Sequence, residues 1–168
     1  MRSDNLADPV RDDGQAEFEI VELLFFAYRD FISDPDAILQ DIGFGRAHHR
    51  VVHFVGSRPG MSVADLLDTL GITKQSLARV LKQLIDAGYV RQTTGPEDRR
   101  QRRLFLSQKG EDLRQQLLAP QLERIAKAFS GLGESERAAV KDFLSRMCND
   151  DPTAFCGALL SANDGKEP

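Results

Sequence analysis

The residues of this chain best suited to chemistry are hydrogen-bond donors and acceptors rather than nucleophiles. Thr73, Lys74, Gln75, Ser76 and Arg79 stand close together, and Arg99, Arg100 and Arg102 follow as a basic cluster. Glutamine can bond adenine twice and arginine can bond guanine O6 and N7, each good pair discriminating by roughly 1–3 kcal/mol. Gln75, Ser76 and Arg79 are therefore candidates for base edges. Thr73 and Lys74 suit a phosphate, because a helix start offers unpaired N–H groups and the positive end of the dipole. An arginine in a narrow minor groove gains from its enhanced negative potential, which suits the cluster of Arg99, Arg100 and Arg102. Enzyme motifs are missing: there is no lysine-bearing phosphate loop and no nucleophile elbow, and Gly43-Phe44-Gly45 lacks the strand and third glycine of a dinucleotide fingerprint.

Charge supports a polyanion at one face only. The net charge is −4, yet residues 1–43 carry 3 basic and 11 acidic groups while residues 72–103 carry 8 basic and 3 acidic. A basic stretch flanked by acidic ones attracts a polyanion locally and repels it elsewhere. The 168 residues, 41% hydrophobic, suit one compact domain or two small halves sharing a core. The longest apolar run, Leu23 to Tyr28, is far below the ~18 residues of a membrane span. Met1 to Asp13 is polar and acidic with no secretory pattern, which points to a cytoplasmic protein with a loose tail.

The elements that must position these residues follow from periodicity and punctuation. Phe18, Val21, Leu24, Phe25, Tyr28 and Ile32 recur at helical spacing, and that helix is expected to stop at Ser33-Asp34-Pro35. A second helix is expected from about Phe44 to Val55, ending in the turn Gly56-Ser57-Arg58-Pro59-Gly60. Ser62 with Asp65 makes a capping box for a short helix to Leu70, and Gly71 provides the turn. Thr73 caps the next helix, whose stripe of Leu77, Val80, Leu81 and Leu84 leaves Lys74, Gln75, Ser76, Arg79 and Lys82 off it, and Gly88 closes it. Tyr89–Gln92 and Arg103–Leu106 read as strands around a turn at Gly95-Pro96-Glu97-Asp98. Ser107 begins a long helix that Pro120 should bend or break before Gln121 to Phe129, and a last helix spans about Glu134 to Met147. The fold class is mainly α with a small β-hairpin wing: a winged helix-turn-helix plus helices at both ends of the chain.

This arrangement resembles the multiple-antibiotic-resistance-regulator (MarR) family over about residues 17–150. The likeness rests on Ile72 to Leu84 and, more diagnostically, on Asp98-Arg99-Arg100 placed before Leu106-Ser107 and Lys109-Gly110. The block Gly43 to Arg50 resembles the family's alphaproteobacterial PetP branch. The resemblance implies a repressor that binds double-stranded DNA as a homodimer on a pseudo-palindromic operator. It divides the chain into an acidic tail (1–16), a helical dimerisation region (17–43 and 107–160), a DNA-binding domain (44–106) and a second tail (161–168). It implies that Asp98 salt-bridges Arg100 to support the wing, and that Tyr28, His48, His49 and His53 border a cleft for a small-molecule effector. Excess apolar residues at both ends, such as Phe25, Phe143 and Leu144, suit a partner subunit.

Two further signals are weaker. His49 and His53 have metal-binding spacing, but no carboxylate or cysteine flanks them, so packed or surface histidines are expected and no metal or cofactor is. Cys148 and Cys156 could pair as a redox switch, though only Arg146 lies near to activate a thiol. The rival reading is a winged-helix protein-interaction module without sequence-specific DNA binding.

Overall fold

Pro35 sits inside the first helix instead of ending it. The computed structural model describes residues 14–94 and 102–149, and its first helix, α1, runs Gln15–Asp41 without interruption. The stop expected at Ser33-Asp34-Pro35 is thereby corrected. A proline removes the donor to the carbonyl four residues earlier. Here that carbonyl belongs to Phe31, and the Gln121 side-chain amide donates to it at 3.4 Å. Pro35 is itself buried with Ile32 and Leu39, so the C-terminal half of α1 belongs to the core. The N-terminal half is different: Phe18, Val21, Leu23, Phe25 and Phe26 are all exposed.

Helix α2 spans Arg46–Ser57, starting after Gly45, two residues later than Phe44 would place it. Helix α3 is Val63–Leu70 and carries the expected capping box. The Asp65 N–H donates to Ser62 Oγ at 3.1 Å, and the Ser62 N–H donates to Asp65 Oδ2 at 2.9 Å. Gly71 then adopts φ +60°, a left-handed conformation that lacks a Cβ penalty only for glycine. Helix α4, Lys74–Asp86, begins at Thr73, whose Oγ1 accepts from the Ser76 N–H at 3.2 Å. Its stripe of Leu77, Val80, Leu81 and Leu84 is buried as expected. Those side chains meet Val51, Val52 and Val55 of α2 and Leu66 of α3 in one continuous core.

The hairpin consists of β1, Val90–Thr94, and β2, Arg102–Leu106, antiparallel with Val90 opposite Leu106 and Thr94 opposite Arg102. The segment before α3 lies along the other side of β2. There the Gly60 N–H donates to the Leu104 carbonyl at 2.8 Å and the Leu104 N–H to the Met61 carbonyl at 2.9 Å.

Helix α5 is continuous over Gln108–Ala128, with Pro120 inside it. Of the bend or break expected at Pro120, the break is thus corrected. Gln116, whose carbonyl loses its donor, is exposed, so water can replace the missing bond. Helix α6, Glu134–Arg146, has no buried residue. Among the described residues no helix is long and apolar enough to cross a membrane.

Candidate nucleic-acid interface

Helix α4 brings together all five residues expected at its start. Thr73, Lys74, Gln75, Ser76 and Arg79 are exposed, while the leucines and valine one step round the helix are buried. Gln75 and Arg79 are four residues apart and so share a face. Thr73 has a local role besides: its hydroxyl donates to Ser76 Oγ at 2.9 Å while accepting the Ser76 N–H. The Ser76 hydroxyl keeps its own proton for an outside acceptor. Lys82, one turn beyond Arg79, is ion-paired to Asp86.

Arg102 starts the returning strand, exposed, with Nη1 donating to Gln92 Oε1 across the hairpin at 3.1 Å. This bond orients the guanidinium from a rigid element. Its neighbour Arg103 points the other way, donating to the Gly60 carbonyl at 3.1 Å. Between the start of α3, α4 and the hairpin runs an open groove of about 620 Å³. Val63, Ala64, Ala78 and Leu81 floor it, and Lys82 and Arg102 supply its cations. Asp98, Arg99 and Arg100 lie outside the described residues.

Behind this surface is a cavity of about 310 Å³ where α1, α2 and α5 meet. Tyr28, His49 and His53, expected from the resemblance, do line it together; His48 does not. Sequence reading misses Phe31, Ile32, Arg46, Arg50, Phe54 and Gln121, which complete the wall. The helical spacing of Arg46, Arg50 and Phe54 with His49 and His53 is the signal that could have found them. The cations are already engaged: Arg46 pairs with Asp36 at 2.8 Å and Arg50 donates to the Leu70 carbonyl at 2.8 Å. Burial pushes the pKa values of His49 and His53 below the ordinary 6.5, and for His53 the charges of Arg114 and Arg58 add to the effect. Most of the surface of the cavity wall is therefore apolar and aromatic, with Arg50 as a cation that no carboxylate among the described residues neutralises, a lining that suits an aromatic molecule.

His48 turns instead toward α4. Its Nδ1 accepts from the Gly45 N–H at 3.1 Å and its Nε2 lies 2.9 Å from Gln83 Oε1. No group of three or more His, Cys, Asp or Glu among the described residues is placed to hold a metal ion. Cys148 is an exposed free thiol, and Cys156 lies outside the described residues.

Comparison with known proteins agrees with this geometry. Residues 42–101 match the sequence profile of the MarR family. The HTH-type transcriptional regulator PetP of Rhodobacter capsulatus is 44% identical over 127 residues, 76% of each chain. Streptococcus pneumoniae FabT, solved in complex with DNA, superposes with a TM-score of 0.68 at 19% identity, covering 78% of this chain and 94% of FabT. A multiple antibiotic-resistance repressor from Listeria monocytogenes gives 0.55 at 27% identity, covering 82% of this chain and 94% of its own.

Proposed function

The chain belongs to the MarR family of transcriptional regulators, and we propose that it is a homodimer that binds a pseudo-palindromic operator in double-stranded DNA, acting as a repressor that a small molecule releases. The observation that carries the reading is the exposed face of α4, which presents Lys74, Gln75, Ser76 and Arg79, together with the groove that Ala78, Leu81 and Lys82 of the same helix share with Arg102 of the wing. In this geometry the start of α4 enters the major groove, with Gln75, Ser76 and Arg79 at base edges and Thr73 and Lys74 on phosphate. The sugar–phosphate strand then passes along the groove between α4 and the hairpin. Arg99 and Arg102 reach the adjoining minor groove, and Asp98 steadies Arg100 at the wing.

Dimerisation is supported by surface that a lone protomer leaves uncovered. Phe25 is 72% exposed and Leu23 64%, α6 buries no residue, and Leu144 and Met147 are half exposed. Residues 17–43 and 107–160 form the dimerisation region in this reading, and residues 44–106 the DNA-binding domain. The cavity at Tyr28, His49 and His53 lies on α2 between the two, so a ligand there can favour one spacing of the paired α4 helices over another. Release requires a spacing that no longer matches groove repeats ~34 Å apart.

The decisive experiment is selection of a random duplex library on the purified protein, with sequencing of what is retained. An enriched pseudo-palindrome is the expected result. Weak, salt-sensitive binding with no enriched sequence would transfer the reading to a protein-interaction module without sequence-specific DNA binding.

A further inference from the structure

We propose that His48 is a positioning residue for the DNA-reading helix, holding α4 at Gln83 so that Gln75 and Arg79 present at one fixed rotation. The proposal rests on the DNA-binding reading above and adds to it the residue that sets the angle. The two contacts of His48 select one neutral tautomer of the ring. Because Nδ1 accepts the Gly45 N–H, the neutral ring carries its proton on Nε2, and that proton is donated to Gln83 Oε1 at 2.9 Å. The ring is held in place by its neighbours. It stacks on Phe44 with centroids 4.4 Å apart and planes 7° from parallel, and Phe44 in turn meets Tyr89 edge-on at 5.4 Å.

The place of Gln83 on α4 gives this bond its meaning. Gln83 is four residues after Arg79 and eight after Gln75, so the three lie along one side of the helix. One end of that stripe faces outward to read bases, and the other is tied to α2. The buried stripe of Leu77, Val80, Leu81 and Leu84 sets which face of α4 points outward, and the bond to His48 adds a directional contact at the edge of that face. A hydrogen bond is directional, and base readout demands placement within about 0.5 Å. A second tie acts one turn further on, where Lys109 Nζ donates to the carbonyl of Ala87 at 2.9 Å and lies 4.2 Å from the Tyr89 ring centre. His48 is followed directly by His49, which lines the cavity. One turn of α2 thus touches both the cavity and the reading helix.

The test separates the two bonds of His48 in the full-length chain. A glutamine places its amide nitrogen near the position of Nε2, and an asparagine places its oxygen near that of Nδ1. His48→Gln is expected to keep wild-type preference for the selected duplex over a scrambled one. His48→Asn and Gln83→Ala are each expected to lose about tenfold of it, the worth of one hydrogen bond, and the double variant to lose no more than either single one. Wild-type preference in His48→Asn, or equal loss in His48→Gln, would overturn the proposal. Nitrogen NMR of the unbound protein supplies an independent arm: the proton is expected on Nε2, and finding it on Nδ1 overturns the assignment. Amide exchange across α4 without DNA is expected to quicken in His48→Asn and not in His48→Gln. If the wild-type chain discriminates no duplex, the functional reading falls, and the exchange comparison alone decides whether His48 holds α4.

Discussion

The side chain of Gln121 completes a hydrogen bond that Pro35 takes away: its amide donates to the Phe31 carbonyl, ninety residues earlier in the chain, at 3.4 Å. Gln121 is only 5% exposed, so its amide is held against this carbonyl at the wall of the cavity. Gln121→Leu should cost about 1 kcal/mol or somewhat more by leaving that carbonyl unpaired. In a Pro35→Ala background residue 35 regains its N–H, and the cost of Gln121→Leu should shrink. Urea denaturation of the four proteins in this cycle checks the coupling; strict additivity would mean that Gln121 does not replace the donor that Pro35 lacks.

Gly110 marks a second close approach. A Cβ there would lie 2.1 Å from the Tyr89 carbonyl oxygen, which belongs to backbone and cannot swing aside. Gly110→Ala should therefore destabilise the protein by about 3 kcal/mol. Gly43 is the contrasting case, with φ +74° and nothing within 4 Å of a built Cβ. Gly43→Ala should cost only the left-handed backbone penalty of about 1–2 kcal/mol. Thermal unfolding of both variants should rank them in that order.

The histidines of the cavity make stability depend on pH. In the folded protein His49 and His53 hold pKa values below 6.5 because they are buried, so the unfolded chain binds protons more readily. Their contribution is complete above the unfolded value and is lost as pH falls below about 6.5. The wild-type protein should accordingly lose more stability between pH 7.5 and pH 5 than a His49→Phe, His53→Phe double variant. Denaturation midpoints at the two pH values measure this, and parallel losses would refute it.

Much of this architecture is legible in local signals. Ser62 and Asp65, Thr73, Gly71 and Gly88 each announce a helix end through chemistry spanning three or four residues, and each stands where that chemistry requires. The prolines mislead because what accommodates them is not local. Pro35 alone predicts a stop, and nothing near it reveals that Gln121 supplies the missing donor. The tie between His48 and Gln83 is hidden for the same reason, since 35 residues separate the partners. Tyr28, His49 and His53 are legible as cavity residues only through family resemblance; Phe31 and Gln121 join them by tertiary packing. Asp98, Arg99 and Arg100, the most diagnostic residues of the resemblance, lie outside the described residues.

Arg79 and Arg102 should fail in different ways. Arg79→Ala should relax preference at one position of each half-site, by roughly 1–3 kcal/mol, and leave other positions unchanged. Arg102→Ala should weaken all duplexes alike and lower the slope of log affinity against log salt by about 1. Binding isotherms over a salt series on matched and single-mismatch duplexes distinguish the two; identical behaviour would remove the base-reading role from Arg79.

The exposed apolar face of α1 should be covered by a second copy. Phe25→Asp, at a residue 72% exposed in the protomer, should leave the core intact and convert the dimer to monomer. Sedimentation velocity measures the change, with circular dichroism to confirm retained helix. A wild-type chain that sediments as a monomer would refute the pairing.

The backbone bonds of Gly60 and Met61 to Leu104 have a consequence for solubility. They cover the side of β2 that β1 leaves open, so β2 has no unpaired edge along that stretch for a foreign strand to join. The outer side of β1 is short and polar, Val-Arg-Gln-Thr-Thr, a poor template for strand addition. Along its described strands the hairpin therefore offers little template for strand addition.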